Sequence, residues 1–294
     1  MPLVNSKDIL AEARRKKYGI PSLLAGNMEM IVGTIKAAEM KRSPLILAFN
    51  QEVTPGIPLE LGLAVAVTAA RQASVPVATI LDHGHSLEDV VRAIKAGSSS
   101  VMFDGSGLPY EENVSRTRQV VELAHAVGVC VEAELGGIAG SSVNIGASGP
   151  AANLTDPDQA ADFVARTGVD VLAISFGNAH GVYQGEPNLD LERVRQIHAR
   201  VAIPLAMHGA SGLAENEYPR IIASGISKVC YYTAMALGAS HDLRQMMAAG
   251  DERATIYHHL ISRAIEYFYS IAGRLLDLVG CSGLVNCYKL LKLA

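Results

Sequence analysis

Short apolar runs alternate along the chain with longer segments of helical periodicity. In the segment Leu87–Ala96, Asp89 and Arg92 lie on one face of a helix, while Val90 and Ile94 lie on the other. Eight short runs rich in β-branched or apolar residues are predicted strands: Gly19–Leu24, Pro44–Phe49, Val75–Leu81, Ser99–Phe103, Val129–Glu134, Val169–Phe176, Ile203–Met207 and Lys228–Tyr232. Eight strands that alternate with helices predict an α/β fold of the (β/α)8, or TIM, barrel type.

The end of the chain departs from this repeat. The tail from Asp251 to Leu278 predicts one or two further helices, so a helical extension is expected over about residues 251–294. A chain of 294 residues has room for two domains, but an α/β barrel commonly forms one unit of about 200–250 residues or more. No Pro- or Gly-rich linker separates two cores, and we therefore expect one domain over residues 1–294.

Composition narrows the class of protein and of partner. Apolar residues make up 49% of the chain and charged residues 18%, which excludes a disordered or fibrous protein. The 25 basic and 29 acidic side chains are interspersed and give a net charge of −4, so no basic face for nucleic acid or an anionic membrane is expected. A small neutral or weakly anionic partner is left open.

The sequence also bears on cellular location. No charge-free apolar run approaches the roughly 18–20 residues that cross a bilayer, and the opening MPLVNSKDIL lacks the pattern of a secretory signal. The cysteines Cys130, Cys230, Cys281 and Cys287 are widely spaced, which indicates reduced thiols rather than disulfides or a thiolate zinc site. We expect a cytoplasmic protein.

One long connection interrupts the β-α pattern. From Leu135 to Thr155 the sequence reads LGGIAGSSVNIGASGPAANLT, without a charged residue and rich in glycine. Connections longer than ~12–15 residues in compact domains are usually functional loops. Glycine eases backbone rearrangement, so a mobile flap over a pocket is favoured over the alternative, a disordered surface insertion.

Polar residues end the predicted strands at the rim where (β/α)8 barrels carry their active sites. The segments concerned are Asp82-His83-Gly84-His85, Asp104-Gly105-Ser106, Glu132-Ala133-Glu134, Asn178-Ala179-His180-Gly181 and His208-Gly209-Ala210-Ser211. A single histidine after a strand is usually a hydrogen-bonded core residue. His83, His180 and His208, on three strands at one rim, instead predict a catalytic zinc site, in which the metal acts as a Lewis acid on a substrate oxygen.

Several carboxylates accompany these histidines. Asp82 is the candidate general acid or base, with orientation of His83 or capping of the next helix as its alternative role. Asp104 and Glu134 are candidates for a second metal position or for hydrogen bonds to the first set of ligands. His85 shares a strand face with His83 if the strand continues, but a turn at Gly84 that leaves His85 in solvent is favoured.

Small residues at the same rim are candidates for binding an anion. Gly181, Gly209, Ser211 and Thr233 lie where backbone N–H groups and hydroxyls can hold one, although a tight turn alone would explain both glycines.

The motifs together resemble a known enzyme family. In order, LDHGHSLEDVVRAIKAG, MFDGS, VEAELGGIAG, NAHGVY and MHGASGL are similar to the class II, zinc-dependent fructose-bisphosphate and tagatose-bisphosphate aldolases, and the resemblance runs from about Val4 to Thr233. It implies a TIM barrel that cleaves a ketose phosphate between C3 and C4, or joins the halves, through a metal-stabilised enediolate. It also implies a homodimer or homotetramer.

The resemblance also implies a role for each residue that matches a functional position of the family. His83, His180 and His208 match the zinc ligands and Asp82 the proton-transfer residue. Asp104 and Glu134 match carboxylates that can hold an alternative or second metal. Gly181, Gly209, Ser211 and Thr233 match the site for the phosphate of dihydroxyacetone phosphate, beside a monovalent cation in some members.

The chain departs from the family at several substrate contacts. Gln184 stands where the family has a lysine, Leu24 where an asparagine is common, and Cys230 where an asparagine touches substrate, followed by the bulky Tyr231 and Tyr232. No acidic residue occurs in the loop between Glu134 and Asp156, where the family has one for proton abstraction. The arginine that reaches the distal phosphate in tagatose-type members has no counterpart in CSGLVNCYKL.

These departures predict a metal-dependent aldolase whose substrate differs from that of the family, for example a ketose that lacks one of the two phosphates. Charge-assisted contacts to phosphate are strong, so a bisphosphate-specific enzyme would be expected to keep them. Two other functions stay open. The acid-free loop favours a non-catalytic sugar-binding or regulatory homologue. The pair His83 and His85 resembles that of zinc hydrolases with barrel folds, although there it ends the first strand.

Overall fold

The computed structural model describes residues 2–140, 153–183, 185–249, 252–253 and 255–285. Eight parallel strands form a closed barrel in sequence order, with the last strand paired to the first. They are β1 (Ile20–Leu24), β2 (Leu45–Phe49), β3 (Val77–Gly84), β4 (Ser100–Phe103), β5 (Cys130–Leu135), β6 (Val171–Ile174), β7 (Leu205–Met207) and β8 (Ile226–Tyr231). The predicted barrel and all eight predicted strands are confirmed.

Helices alternate with the strands and cover the barrel. They are α1 (Ser6–Lys16), α2 (Met28–Lys41), α3 (Leu59–Gln72), α4 (Leu87–Lys95), α5 (Tyr110–His125), α6 (Pro157–Thr167), α7 (Leu191–Arg200), α8 (Glu217–Ser224), α9 (Thr233–Ala248) and α10 (Tyr257–Leu278). Side-chain caps set several boundaries: the Ser86 hydroxyl accepts from the Asp89 amide at the start of α4, and Asp156 caps α6. Most strand positions are buried on both faces, as expected for a parallel sheet between a core and helices.

The amino-terminal end of the barrel is closed by α1. Lys7 of this helix donates to the buried carboxylate of Asp170, which also accepts from the His125 ring and from the Val131 amide. Ser6 contacts the Ser100 hydroxyl at the start of β4. These contacts leave the opposite end of the barrel, where the strands end, as the open one.

The carboxy-terminal extension is a long helix against the outside of the barrel. α10 packs on α2, and Gly33 allows the close approach, because a Cβ there would lie 2.6 Å from the Ile265 carbonyl oxygen. The predicted extension is thus present as α10, while residues 286–294 lie outside the described part of the chain. Within that part, every helix is too short or too polar to cross a membrane.

Candidate active site

A bulge at the end of β3 directs two consecutive side chains to the open end of the barrel. Leu81 pairs with Val101 and Gly84 with Phe103, so β3 advances three residues while β4 advances two. His83, inside the bulge, has a φ of 52°, a left-handed conformation that non-glycine residues seldom adopt. The bulge therefore brings His83 into the cavity that Asp82 already faces. Such local strain is commonly found at functional sites.

The three predicted histidines lie together at this rim. Their ring centroids are 4.6 to 5.7 Å apart, and one nitrogen of each ring lies within 4.8 Å of the others. The His180 Nε2 atom is buried and has no hydrogen-bond partner among the described residues. Burial, with the neighbouring His83 and His208, holds the pKa of His180 well below its ordinary value. A neutral ring with a free nitrogen lone pair is the form that binds metals.

Carboxylates orient the other two rings. The His83 Nδ1–H donates to Asp104 Oδ2 at 2.7 Å, and the His208 Nε2–H donates to Glu132 Oε1 at 2.9 Å, since an ionised carboxylate can only accept. These bonds leave His83 Nε2 and His208 Nδ1 facing each other at 3.0 Å, on the side of His180. A histidine that donates its second nitrogen to a carboxylate is the usual arrangement in metal sites.

The acidic groups create a negative field around these rings. Burial lowers the pKa of His83, but the charges of Asp82 and Asp104 outweigh it and raise this pKa to about 10. Burial and the nearby Asp104 charge raise the pKa of Glu134 to about 8. Burial alone would raise the pKa of Asp104, but its hydrogen bond from His83 lowers it. Such a field favours a cation at this position.

The residues present fit a bound metal ion. Asp82 Oδ1 and Glu134 Oε2, like His180 Nε2, are buried atoms with no partner in the described structure. Buried polar atoms are nearly always hydrogen-bonded, so such a concentration at one site indicates a missing ligand. A second possible group consists of His83, Asp104 and Glu134, again with ligand atoms within 4.8 Å of one another. This is the place predicted for a second metal position.

Two loops meet beside the histidines at a glycine. Gly209 has a φ of 71°, and a Cβ there would lie 2.1 Å from the Ala179 carbonyl oxygen. The Asn178 side chain, not singled out from the sequence, donates to the His208 carbonyl at 3.0 Å. The Tyr183 hydroxyl donates to the Gly209 carbonyl at 2.7 Å. The loops that carry His180 and His208 are thereby held together.

The amino terminus of α9 borders the same cavity. Tyr232 and Thr233 at the start of this helix lie in the cavity wall, and the Tyr232 amide donates to the Ser211 hydroxyl. Free N–H groups at a helix start attract anions. Of the predicted anion-site residues, Gly181, Gly209, Ser211 and Thr233 all line the cavity.

The positions that depart from the family lie in the same wall. Leu24, Cys230, Tyr231 and Tyr232 line the cavity, which encloses about 390 Å³ with its open mouth included. Among its described lining residues there is no lysine or arginine. Gln184 lies outside the described residues.

The charge-free loop begins and ends at this rim. Gly137 pairs with Asn153 across its base, and Ala139 pairs with Ala179, so that the His180 amide donates to the Ala139 carbonyl. Residues 141–152, on which the predicted flap depends, lie outside the described part of the chain.

Sequence reasoning missed Glu132 and Lys228 as site residues. The sequence pattern places Glu132 only at the end of a strand, yet both its carboxylate oxygens are engaged below the histidines: one by His208, the other by Lys228 Nζ at 2.5 Å. Its place two residues before Glu134 on a strand was the available signal, because such residues share a face.

His85 lies apart from the cluster. Its side chain is 54% exposed and faces Glu52. The exposure of His85 agrees with the expectation, but β3 continues through Gly84 instead of turning there. His83 and His85 therefore do not form the pair on which the zinc-hydrolase alternative depended.

Comparison with known proteins agrees with this geometry. The family model for class-II fructose-bisphosphate aldolase matches residues 4–284. The D-tagatose-1,6-bisphosphate aldolase subunit GatY of Klebsiella oxytoca is 36% identical over 287 residues, which cover 96% of this chain and 99% of the relative. The crystal structure of the YdjI aldolase from Escherichia coli K12 superposes with a TM-score of 0.86 at 34% identity, covering 96% and 99% of the two chains. This chain belongs to the class II fructose-bisphosphate aldolase family.

Proposed function

We propose that this protein is a zinc-dependent aldolase that cleaves a ketose phosphate reversibly into dihydroxyacetone phosphate and an aldehyde. The observation that carries the proposal is the meeting of three imidazoles at one rim, with one nitrogen of each ring within 4.8 Å of the others and the unpartnered Asp82 Oδ1 atom beside them.

His83 Nε2, His180 Nε2 and His208 Nδ1 would hold the zinc ion. When bound, the metal acts as a Lewis acid on the substrate carbonyl oxygen, stabilising the negative charge that develops as the C3–C4 bond breaks. Asp104 and Glu132 keep the hydrogen-bearing nitrogens of two of these rings turned away from the site. Three protein ligands leave room for substrate.

Asp82 takes the proton of the hydroxyl on the carbon that becomes the aldehyde, and returns it in the reverse direction. Its Oδ1 is free to accept, because no described residue donates to it. A carboxylate so placed is suited to general base catalysis. The family has an acidic residue in the charge-free loop for a second proton transfer. Since this loop has no acidic residue here, another group must take that role.

The phosphate of dihydroxyacetone phosphate would bind at the start of α9, to Gly181, Gly209, Ser211 and Thr233, beside a monovalent cation as in some family members. Backbone N–H groups there are suited to one phosphate. The described lining offers no lysine or arginine for a second phosphate, and Leu24 and Cys230 replace polar family residues. We therefore expect a ketose 1-phosphate rather than a bisphosphate as the substrate.

The test is a coupled assay for dihydroxyacetone phosphate release. The zinc-loaded protein should cleave ketose 1-phosphates, lose this activity with a chelator and recover it with zinc. Efficient zinc-dependent cleavage of fructose or tagatose bisphosphate would overturn the monophosphate specificity. Failure to cleave any ketose phosphate while still binding zinc and a sugar phosphate would favour the non-catalytic homologue. The homodimer or homotetramer and the cytoplasmic location stay predictions.

A further inference from the structure

Below the histidine cluster, an ion pair crosses the inside of the barrel. Glu132 on β5 and Lys228 on β8 are 1% and 0% exposed, and the Lys228 Nζ lies 2.5 Å from Glu132 Oε2. The strands β6 and β7 separate β5 from β8 in the barrel wall, so the contact crosses the barrel interior. Buried ion pairs seldom add net stability, because desolvation offsets the attraction. The presence of this pair inside the barrel therefore needs an explanation other than stability.

The other oxygen of Glu132 is aimed at one proposed metal ligand. Oε1 accepts from His208 Nε2 at 2.9 Å, while His208 Nδ1 faces His83 Nε2 at 3.0 Å. A neutral imidazole carries its proton on one nitrogen only, so an acceptor at Nε2 selects the form with a free lone pair on Nδ1. His208 is itself 1% exposed, so bulk solvent does not compete for Nε2, and Cys230 Sγ contacts this atom only at 3.7 Å.

We propose that Glu132 and Lys228 are positioning residues that fix the tautomer and ring orientation of His208 for metal binding. Glu132 supplies the acceptor at Nε2. Lys228 binds the second carboxylate oxygen of Glu132 and balances the negative charge of that carboxylate. Glu132 therefore stays below the His208 ring instead of competing for the metal. The inference rests on the proposed metal centre.

Two double variants separate the acceptor from the charge. Glu132→Gln with Lys228→Met removes both charges but keeps a carbonyl oxygen below His208. Glu132→Leu with Lys228→Met removes both charges and the acceptor. Neither leaves a buried charge unpaired, which would destabilise the fold on its own. The two proteins therefore differ chiefly in the hydrogen bond to Nε2.

The readout is zinc affinity, measured by competition with a chromophoric chelator, together with the absorption spectrum of the cobalt-substituted protein. The Leu variant should bind zinc roughly ten- to hundredfold more weakly than wild type, as expected when an outer hydrogen-bond partner is lost. The Gln variant should recover most of that affinity and a wild-type-like cobalt spectrum. Equal zinc affinity in both double variants would overturn the role of the acceptor.

A measurement on the unmodified protein covers the case in which a variant does not fold. Long-range ¹H–¹⁵N NMR of the metal-free protein should show His208 with its proton on Nε2. A proton on Nδ1 instead would overturn the inference. Failure of the wild-type protein to bind zinc would overturn the metal centre itself, whereas normal zinc binding with the opposite tautomer would overturn only the positioning role.

Discussion

Asp82 and His83 are consecutive residues of one strand, yet both side chains line the same cavity. In a regular strand they would point to opposite faces. The bulge between Leu81 and Gly84 and the left-handed backbone at His83 remove this constraint. The proposed proton-transfer group and one proposed metal ligand thus become neighbours, at a backbone strain of order 1–3 kcal/mol.

His180→Ala should abolish tight metal binding without unfolding the metal-free protein, because the described structure gives the Nε2 atom no hydrogen bond to lose. Loss of a Lewis-acid contribution of several kcal/mol corresponds to a decrease in kcat of about 10²–10³-fold. Zinc content by mass spectrometry and the Tm of the metal-free protein, unchanged within about 3 °C, check this. The matched control is His85→Ala, which removes an exposed ring and should leave zinc content and kcat unchanged.

Asp82→Asn should lower kcat by about 10²–10⁴-fold while zinc content stays at the wild-type level, because the amide keeps the shape of the carboxylate but cannot accept the proton. Cleavage kinetics and metal analysis of the same preparation provide the test. A wild-type kcat would show that Asp82 only orients its neighbours.

Gly209→Ala should lower stability and activity together. The added Cβ meets the Ala179 carbonyl oxygen, and the φ of 71° disfavours any side chain. We expect a loss of about 2 kcal/mol or more in the free energy of unfolding, and a Tm lower by roughly 4 °C or more. Gly107→Ala is the control, since a Cβ there meets no atom within 4 Å. Equal Tm values for the two variants would contradict the close packing of the loops.

Asp170→Asn should destabilise the protein at neutral pH and make its stability fall less steeply as the pH is lowered. Burial alone would raise the pKa of Asp170, but hydrogen bonds from Lys7, Val131 and His125 outweigh burial and lower it. A lowered pKa contributes stability above the unfolded value of about 3.9, and this stability is lost as pH falls towards the folded value.

Thermal unfolding between pH 3 and 7 therefore tests the role of Asp170. The Tm difference between wild type and Asp170→Asn should be largest near pH 7 and shrink below about pH 4. Asp158→Asn removes the exposed carboxylate that pairs with Arg200 and should shift the Tm little at any pH. A Tm difference for Asp170→Asn that stays constant with pH would contradict the lowered pKa.

The sequence by itself determined the barrel and most of the candidate site. Apolar runs at β-α spacing predict the strands because parallel strands are buried on both faces. Parallel strands also end at one rim, which was enough to bring His83, His180 and His208 together. Only the tertiary structure decided how each side chain is used. The bulge that turns His83 inward depends on pairing with β4, and the contact of Glu132 with Lys228 joins residues 96 positions apart. Local pattern carries no information on either, because register shifts and contacts across the barrel are settled only when the sheet closes.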